Sequence, residues 1–240
     1  LAVKVLPWSP SEVSHELKKE LRLLQSCDDT HIVRAHGMFL KPRELWIVME
    51  FCEYGSLLDV MRSMRSALPE EAIAAACADA LRGLRYLHSQ RRAIIHRDVK
   101  CANLLLAASG VVKLADFGVA AQLNSTASKR SSVIGTPHWM APEVVQSGRY
   151  DARADVWSLA VTAIEMAQAR PPLANLRPVL KVMFAIAAGE PVKLDHPTRF
   201  SALLNAFLDA ALVKDPLLRP SSEAILRHPF VRTARRPALA

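Results

Sequence analysis

Hydrophobic and polar positions change period twice within the N-terminal part of the chain. Residues 1–6 (LAVKVL) alternate and are rich in Val and Leu, which predicts a β-strand. A helix is predicted from Ser9, which suits the N-cap because a proline follows it, to about Gln25. The predicted apolar face of this helix consists of Val13, Leu17, Leu21 and Leu24. Two more strands are predicted near residues 36–40 and 45–51.

The remainder of the chain has a helical period instead. Residues 69–90 are rich in Ala and begin with a proline, which predicts a long helix. Shorter helices are predicted over residues 142–147, 153–168, 178–188, 201–213 and 221–228. Because the composition changes near residues 52–56, we predict an α+β chain with a small β-rich lobe and a larger helical lobe. The predicted domains are residues 1–52 and 53–231, followed by a tail over 232–240.

Length and composition fit this two-lobed organisation. With 240 residues, of which 51% are hydrophobic and 22% charged, the chain can form a large core with an ordinary surface. It contains no run of about 18 uncharged apolar residues, so no membrane span is predicted. The start has no pattern of a signal peptide and no initiator Met, from which we expect a piece of a longer protein.

Cysteine and charge patterns exclude several kinds of partner. The four cysteines form no C-x-x-C pair and no cluster with His, which argues against a zinc site or a disulfide framework and favours reduced cytosolic thiols. The formal net charge is +8, but the basic residues are scattered and no aromatic-rich basic strand accompanies them. We therefore predict no nucleic-acid partner, and a basic surface that attracts nucleotides, acidic peptides or a partner domain.

Polar side chains of functional interest lie in two loops, each next to a short apolar segment. The first loop, residues 96–103, is polar between two apolar runs in IIHRDVKCANLLL, and the second begins at Asp116 after VVKLA. Together the loops would bring four side chains close to one another: Asp98, Lys100, Asn103 and Asp116. An Asp and an Asn supply hard oxygen ligands that Mg²⁺ accepts, and a second Asp can take the proton of a hydroxyl. A lysine here can neutralise charge on a transferring phosphoryl group.

Three motifs in order make a family resemblance specific. HRDVKCAN and DFG, followed by GTPHWMAPE, resemble the eukaryotic serine/threonine protein kinases, and the resemblance extends from Lys4 to about Arg219. The phrases KLADFGVAAQL and SSVIGTPHWMAPEV resemble the germinal-centre kinases of the sterile-twenty group, closest to the mammalian sterile-twenty-like branch. The resemblance implies a two-lobed kinase fold, ATP and Mg²⁺ as cofactors, and protein substrates.

The resemblance also implies a role for each side chain of the two loops. It implies that Asp98 is the catalytic base, that Lys100 contacts the phosphate, and that Asn103 and Asp116 hold Mg²⁺. Thr136, in the GTPHWMAPE segment, is implied to hydrogen-bond near Asp98 and Lys100.

The nucleotide site draws further residues from the N-terminal part. By the same resemblance, Lys4 holds the α- and β-phosphates and Glu20 is its ion-pair partner. Glu20 is preferred over the nearby Glu12 and Glu16 because it lies beside the apolar helix face. The alternative for Glu20 is a solvated helix carboxylate.

The segment LWIVMEFCEYGS is similar to the strand and hinge that line an adenine pocket. The resemblance implies that Met49 limits the depth of the pocket, that backbone groups of Glu50 and Cys52 bind the adenine edge, and that Leu105 belongs to the same pocket. Ser56 approaches the ribose or, equally well, caps the next helix.

The remaining implied roles are regulatory and structural. Ser132 is the expected phosphosite of an activation loop, and its phosphate would pair with Arg97. The expected structural residues are His96, Phe117, Gly118, Glu143, Asp155 and Arg219. Asp155 is expected to brace the catalytic-loop backbone, and Arg219 is expected to pair with Glu143. An upstream or trans-activating kinase, regulatory domains outside this chain and a cytoplasmic location are implied as well.

One departure from the family pattern keeps a second function open. No G-x-G-x-x-G occurs anywhere among the eight glycines, although the family places such a loop before the residue that Lys4 matches. We therefore expect the chain by itself to be weakly active or inactive, and the alternative to an active enzyme is a pseudokinase or allosteric scaffold. A small-molecule phosphotransferase is disfavoured by the GTPHWMAPE segment. For an active enzyme, Val119 after DFG implies a preference for Thr over Ser as acceptor.

Overall fold

The structure is a computed structural model, which describes residues 1–7, 25–90, 93–116, 137–146, 148 and 150–234. A small antiparallel sheet is formed by β1 (Ala2–Pro7), β2 (Ala35–Lys41) and β3 (Glu44–Met49). The strand order is β1-β3-β2, so β3 is central and its Leu45 and Ile47 are buried. In this register Lys4 pairs with Ile47 on the neighbouring strand.

Helices form the rest of the described chain. They are α1 (Leu57–Met64), α2 (Glu70–His88), α3 (Pro142–Val145), α4 (Arg153–Gln168), α5 (Val179–Ala188), α6 (Ala202–Ala211), α7 (Ser222–Ile225) and α8 (Pro229–Arg232). α4 is buried from Ala154 to Ala167, and α2 packs against it. Since α4 is buried on every side, it forms the centre of the helical core.

A short hairpin on this helical core carries the two functional loops. The 3₁₀ turn Cys101–Asn103 leads into β4 (Leu104–Leu106), which pairs antiparallel with β5 (Val112–Leu114). The amide of Val33, at the edge of the small sheet, donates to the carbonyl of Leu114 at 2.9 Å. This backbone bond ties the small sheet to the hairpin, so that both lie beside the functional loops.

The predicted α+β organisation is confirmed, with shifts at several boundaries. The strand predicted over residues 1–6 and the helix predicted over 69–90 are present as β1 and α2. The helix predicted over 221–228 is present but shorter, because α7 ends at Ile225 and a separate helix, α8, begins at Pro229. The break lies at His228, whose Nδ1 accepts from the amide of Phe230 and whose following proline occupies the first position of α8.

Two further expectations concern the first predicted helix and a membrane span. The helix predicted from Ser9 to about Gln25 lies almost entirely outside the described residues. Within the described ranges, no helix is both long enough and apolar enough to cross a lipid bilayer.

Candidate active site

The loop of residues 96–103 is anchored by one buried carboxylate. Asp155 on α4 is 1% exposed, and its Oδ2 and Oδ1 accept from the backbone amides of His96 (2.8 Å) and Arg97 (2.9 Å). The imidazole Nε2 of His88 lies 2.8 Å from Oδ2 of the same carboxylate. Hydrogen bonds from backbone amides to a buried carboxylate are strong, so Asp155 fixes where the loop begins.

Backbone geometry at Arg97 requires such an anchor. Arg97 has φ 71°, in the left-handed region that non-glycine residues rarely adopt. Conformations of this kind cost about 1–3 kcal/mol and persist only where surrounding groups enforce them. The bond from the Arg97 amide to Asp155 supplies part of that enforcement, and the fully buried His96 beside it supplies packing.

Burial also sets the charge state of His96. Its side chain is fully buried, and burial lowers the pKa of the imidazole despite the carboxylates of Asp155, Asp98 and Asp116, which act in the opposite direction. A neutral ring leaves Nδ1 able to accept from the amide of Asp98, 3.3 Å away. His96 thus supports the loop as a neutral group.

The Asp98 carboxylate is oriented by two side chains of the same loop. Asn103 Nδ2 donates to Asp98 Oδ2 at 2.8 Å and to the Asp98 carbonyl at 2.7 Å, while Lys100 Nζ lies 2.9 Å from Asp98 Oδ1. The carboxylate is about one-third exposed, so solvent or a ligand can reach it. A carboxylate held in this way can accept a proton from an approaching hydroxyl.

The second loop is joined to the first by the backbone. The amide of Ala115 donates to the carbonyl of Asn103 at 2.9 Å, which brings the two loops together as the sequence predicts. Asp116 follows with φ 63°, and its Oδ2 lies 2.6 Å from the Nζ of Lys4. A lysine of the small sheet and a carboxylate of the helical part therefore meet across the cleft.

The donor set fits a divalent cation of the magnesium type. The Asn103 side chain donates from Nδ2 to two oxygens of Asp98. Its Oδ1 remains as an acceptor, and within the described residues this oxygen accepts no hydrogen bond. The side chain of Asp116 is 29% exposed, and its Oδ2 contacts Lys4. Asn103 Oδ1 and Asp116 Oδ1 are oxygen ligands that suit Mg²⁺ when it keeps several waters.

A small apolar cluster lies beside these groups. Val33, Cys52 and Ala115 are buried, with Met49 and Leu105 packed against them, so three of the predicted adenine-pocket residues come together. Ala115 directly precedes Asp116, which places the cluster next to the charged part of the site.

Hinge backbone groups near this cluster are open to a ligand. The Glu50 amide donates to the Arg34 carbonyl at 2.9 Å and the Cys52 carbonyl accepts from Gly55 at 3.1 Å. Within the described residues, the Glu50 carbonyl and the Cys52 amide have no backbone partner. One acceptor and one donor two residues apart match the edge of a heteroaromatic ring such as adenine.

Of the two roles left open for Ser56, the structure shows the helix cap. Ser56 Oγ accepts from the Asp59 amide at 3.1 Å, and the Asp59 carboxylate accepts from the Ser56 amide at 3.1 Å. This reciprocal capping box starts α1, and Ser56 is only 6% exposed. The cap is therefore the role that the contacts of Ser56 support.

Arg97 and the pair Glu143–Arg219 occupy very different surroundings. The Arg97 side chain is exposed, and its guanidinium lies 5.9 Å from the ring centre of Tyr150. Among the described residues it has no carboxylate partner. By contrast, Arg219 is buried and binds both oxygens of Glu143, at 2.7 and 3.0 Å.

Sequence reasoning missed a second buried carboxylate, Glu165 on α4. Its Oε2 accepts from the amide of Cys101 (3.0 Å) and from the indole Nε1 of Trp139 (2.9 Å). Burial raises the pKa of this carboxyl, against the effect of its hydrogen bonds. Glu165 thus links the 3₁₀ turn of the first loop to the GTPHWMAPE segment, and only its place in an otherwise apolar helix was visible in the sequence.

Several of the predicted site residues lie outside the part of the chain that the structure describes. Glu20, Phe117, Gly118, Ser132 and Thr136 fall within residues 8–24 or 117–136, as does Val119. Their expected roles stay predictions.

Comparison with known proteins agrees with the motifs. Residues 1–231 match the family described as protein kinase domain. The chain is 44% identical over 235 residues to serine/threonine-protein kinase hippo of Drosophila melanogaster, covering 98% of this chain and 34% of the relative. It is 43% identical over 234 residues to serine/threonine-protein kinase cst-1 of Caenorhabditis elegans, covering 98% of this chain and 46% of the relative.

A third relative comes from a distant organism. Serine/threonine-protein kinase 4 homolog A of Dictyostelium discoideum is 46% identical over 226 residues, covering 93% of this chain and 48% of the relative. The chain thus spans about a third to a half of the length of these three relatives. The similarity to these sterile-twenty-type kinases confirms the resemblance inferred from the motifs, and the chain belongs to the protein kinase domain family.

Proposed function

We propose that this chain is the catalytic domain of a serine/threonine protein kinase, which transfers the γ-phosphate of ATP to hydroxyl groups of proteins. The observation that carries the proposal is the Asp98 carboxylate, which is oriented by Asn103 and Lys100 in a loop anchored by Asp155. The names of the relatives support the same activity.

The residues divide the work of transfer between them. Asp98 accepts the proton of the substrate hydroxyl, and Asn103 keeps its carboxylate in position by donating to Oδ2. Lys100 contributes positive charge beside the reacting groups. Bound ATP with Mg²⁺ supplies the transferable phosphoryl group. Asn103 and Asp116 would hold the metal ion, since their free oxygens suit it.

Nucleotide binding is assigned to the small sheet and the hinge. Lys4 would bind the α- and β-phosphates, and its contact with Asp116 supports a position at the cleft. Met49, Cys52 and Leu105 would contact the adenine, with the Glu50 carbonyl and the Cys52 amide binding its edge. The lack of a backbone partner for the Glu50 carbonyl and the Cys52 amide among the described residues supports this assignment.

Regulation and selectivity extend the proposal. Phosphorylation of Ser132 by an upstream or trans-activating kinase would add a charge that pairs with Arg97, whose guanidinium is exposed and without a carboxylate partner among the described residues. A cytoplasmic location and Thr as the preferred acceptor follow from the branch that the motifs resemble. Two peptides that differ only in Thr or Ser test the preference, which is wrong if the Ser peptide is phosphorylated faster.

Transfer of radiolabelled phosphate from ATP to a generic protein substrate tests the activity, measured on a longer protein that contains this chain together with the residues upstream of Leu1. We expect labelling that depends on Mg²⁺, disappears in Asp98→Asn, and appears on Thr or Ser by mass spectrometry. Asp209→Asn, on the exposed side of α6, is the control and should keep full activity. Equal labelling by wild type and Asp98→Asn would refute the catalytic assignment.

The same assay distinguishes the alternative, a pseudokinase or allosteric scaffold. A scaffold would show no transfer by wild type at any Mg²⁺ concentration, together with an unchanged melting temperature on addition of ATP. Transfer by wild type excludes the scaffold as the sole function.

A further inference from the structure

The sequence of α5 departs from the pattern of a surface helix. Every residue from Val179 to Ala188 is apolar except Lys181. A helix on a protein surface normally carries polar residues on its outer face, and one that is apolar all round is normally covered on every side. α5 therefore has more apolar surface than a single contact with the core requires.

The inner face of α5 is covered by its own chain. Val182 and Ile186 are 0% and 2% exposed. The helix contacts α3 and the 3₁₀ turn Pro137–Trp139, which both belong to the GTPHWMAPE segment. This face accounts for the folding role of the helix.

The outer face of α5 is uncovered in the structure. Leu180 and Phe184 are 59% and 73% exposed, and Ala188 is exposed one turn further on. Because these three residues follow one another at intervals of four, they form one stripe, which we call the α5 face. Contiguous exposed apolar surface of this kind marks interaction sites rather than ordinary surface.

Positive charge borders the α5 face. Arg177 lies three residues before Leu180, and Lys181 follows it directly. Both cationic side chains are exposed. Arg177 donates to the carbonyls of Ala174 and Leu176, and within the described residues neither cation has a carboxylate partner. The two cations add to the chain's net charge of +8, so a partner with carboxylates beside its apolar residues is complementary.

A second copy of the chain fits this surface poorly. In a symmetric dimer the same patch meets itself, so the cations around the α5 face of one copy would approach those of the other. Like charges brought together at an interface weaken it. The charge pattern thus favours a different protein.

We propose that the α5 face binds an acidic amphipathic helix of a partner protein. Leu180 and Phe184 provide apolar anchors at helical spacing, to which a second helix can present its own apolar stripe. Glu or Asp residues flanking that stripe pair with Arg177 and Lys181. Because the surface lies outside the two functional loops, binding here does not depend on the proposed phosphoryl transfer.

A designed helical peptide serves as the probe. It carries Leu at intervals of three and four residues and Glu on both flanks, and a matched peptide carries Lys in place of Glu. Fluorescence anisotropy should show that the Glu peptide binds the wild-type chain and the Lys peptide does not. Phe184→Ala should weaken binding of the Glu peptide about tenfold or more.

Matched variants make the test specific. Phe39, on the outer side of the small sheet and 60% exposed, gives the control Phe39→Ala, which should leave binding unchanged. Lys181→Glu should weaken binding. Arg43→Glu makes the same change of net charge at an exposed position in the turn between β2 and β3, and should weaken binding only by the general effect of charge. Melting temperatures of all four variants should match wild type, because each side chain is exposed.

Three outcomes would overturn the proposal. The first is equal binding of the Glu peptide to wild type and Phe184→Ala, and the second is equal binding of the Glu and Lys peptides. The third is a dimer of the wild-type chain in analytical ultracentrifugation that Phe184→Ala abolishes, which would assign the α5 face to a second copy.

Discussion

The small sheet and the helical part carry their charged groups in opposite ways. In the helical part the charges that hold the structure together are buried, since Asp155, Glu165 and Arg219 are 1%, 4% and 1% exposed. In the small sheet Lys4 contacts Asp116 with both side chains about 30% exposed. Charges that are buried together with their partners fix a geometry, whereas half-exposed ones can exchange partners at low cost.

This difference suits the proposed reaction. The loop that carries Asp98 must keep its shape through every turnover. It is held by hydrogen bonds from two backbone amides to the Asp155 carboxylate. Lys4 must release one partner and bind phosphates, so a half-exposed ion pair is sufficient.

The largest effect is expected from the buried pair of the helical part. Arg219→Met leaves the Glu143 carboxylate buried without its cation, and should lower the free energy of unfolding by about 3–5 kcal/mol. Urea denaturation measures the change. Arg227→Met removes an exposed pair with Glu223 and should change stability by less than about 1 kcal/mol. A similar loss in both variants would mean that burial does not distinguish these pairs.

A smaller loss is expected at the loop anchor. Asp155→Asn keeps one acceptor oxygen but replaces the other with an amide NH₂ group, which donates and cannot accept from a backbone amide. We expect a loss of about 1.5–3 kcal/mol, with faster hydrogen exchange at the amides of His96 and Arg97. Asp209→Asn, on the exposed side of α6, should alter neither quantity. Unchanged exchange at both amides in Asp155→Asn would contradict the anchoring role.

A pH effect should come from the helical part as well. Burial lowers the pKa of His96 in the folded chain, so the unfolded chain binds the proton more readily. Stability should therefore fall as the pH drops below about 6.5, by at most about 1.4 kcal/mol per pH unit from this group.

Replacement of His96 separates its contribution from that of other groups. His96→Asn should reduce the slope of unfolding free energy against pH between neutral and mildly acidic conditions. The exposed His196 provides the control His196→Asn, which should keep the wild-type slope. An identical slope in all three proteins would show that His96 is not the responsible group.

The smallest effect on stability is expected in the sheet. Lys4→Met should change the free energy of unfolding by less than about 1 kcal/mol, because its pair with Asp116 is partly exposed. ATP affinity measured by calorimetry should nevertheless fall about tenfold or more, since a charged contact with phosphates is lost. Lys41→Met on β2 should leave the affinity unchanged, and an equal loss in both variants would argue against a specific role of Lys4.

Sequence patterns predicted the elements well where local signals were strong. The Ala content of residues 69–90 is sufficient for α2, which runs from Glu70 to His88. The N-cap at Ser56 was also predicted, with a ligand contact as an equal alternative, and the structure shows the cap. The helix predicted over 221–228 ends three residues early, at Ile225, because His228 and Pro229 start a separate helix.

Contacts between distant segments could not be predicted in the same way. The DVWSLA motif identified Asp155 through a family resemblance, but its bond to His88 connects positions 67 residues apart. Glu165 had no motif at all, and its partners Cys101 and Trp139 are brought to it only by the packing of α4. Periodicity shows which face of an element is buried but not which polar group it meets there.

The most direct test of the account measures phosphoryl transfer and melting temperature together in Asp98→Asn. Because Asp98 is held in place by its neighbours rather than holding them, the account predicts loss of transfer with a melting temperature close to wild type. Asp155→Asn, by comparison, should lose phosphoryl transfer and also melt at a lower temperature than wild type. The claim that buried groups hold the loop while Asp98 acts as the catalytic base would be contradicted by either of two results. One is transfer retained in Asp98→Asn, and the other is loss of transfer only together with loss of the fold.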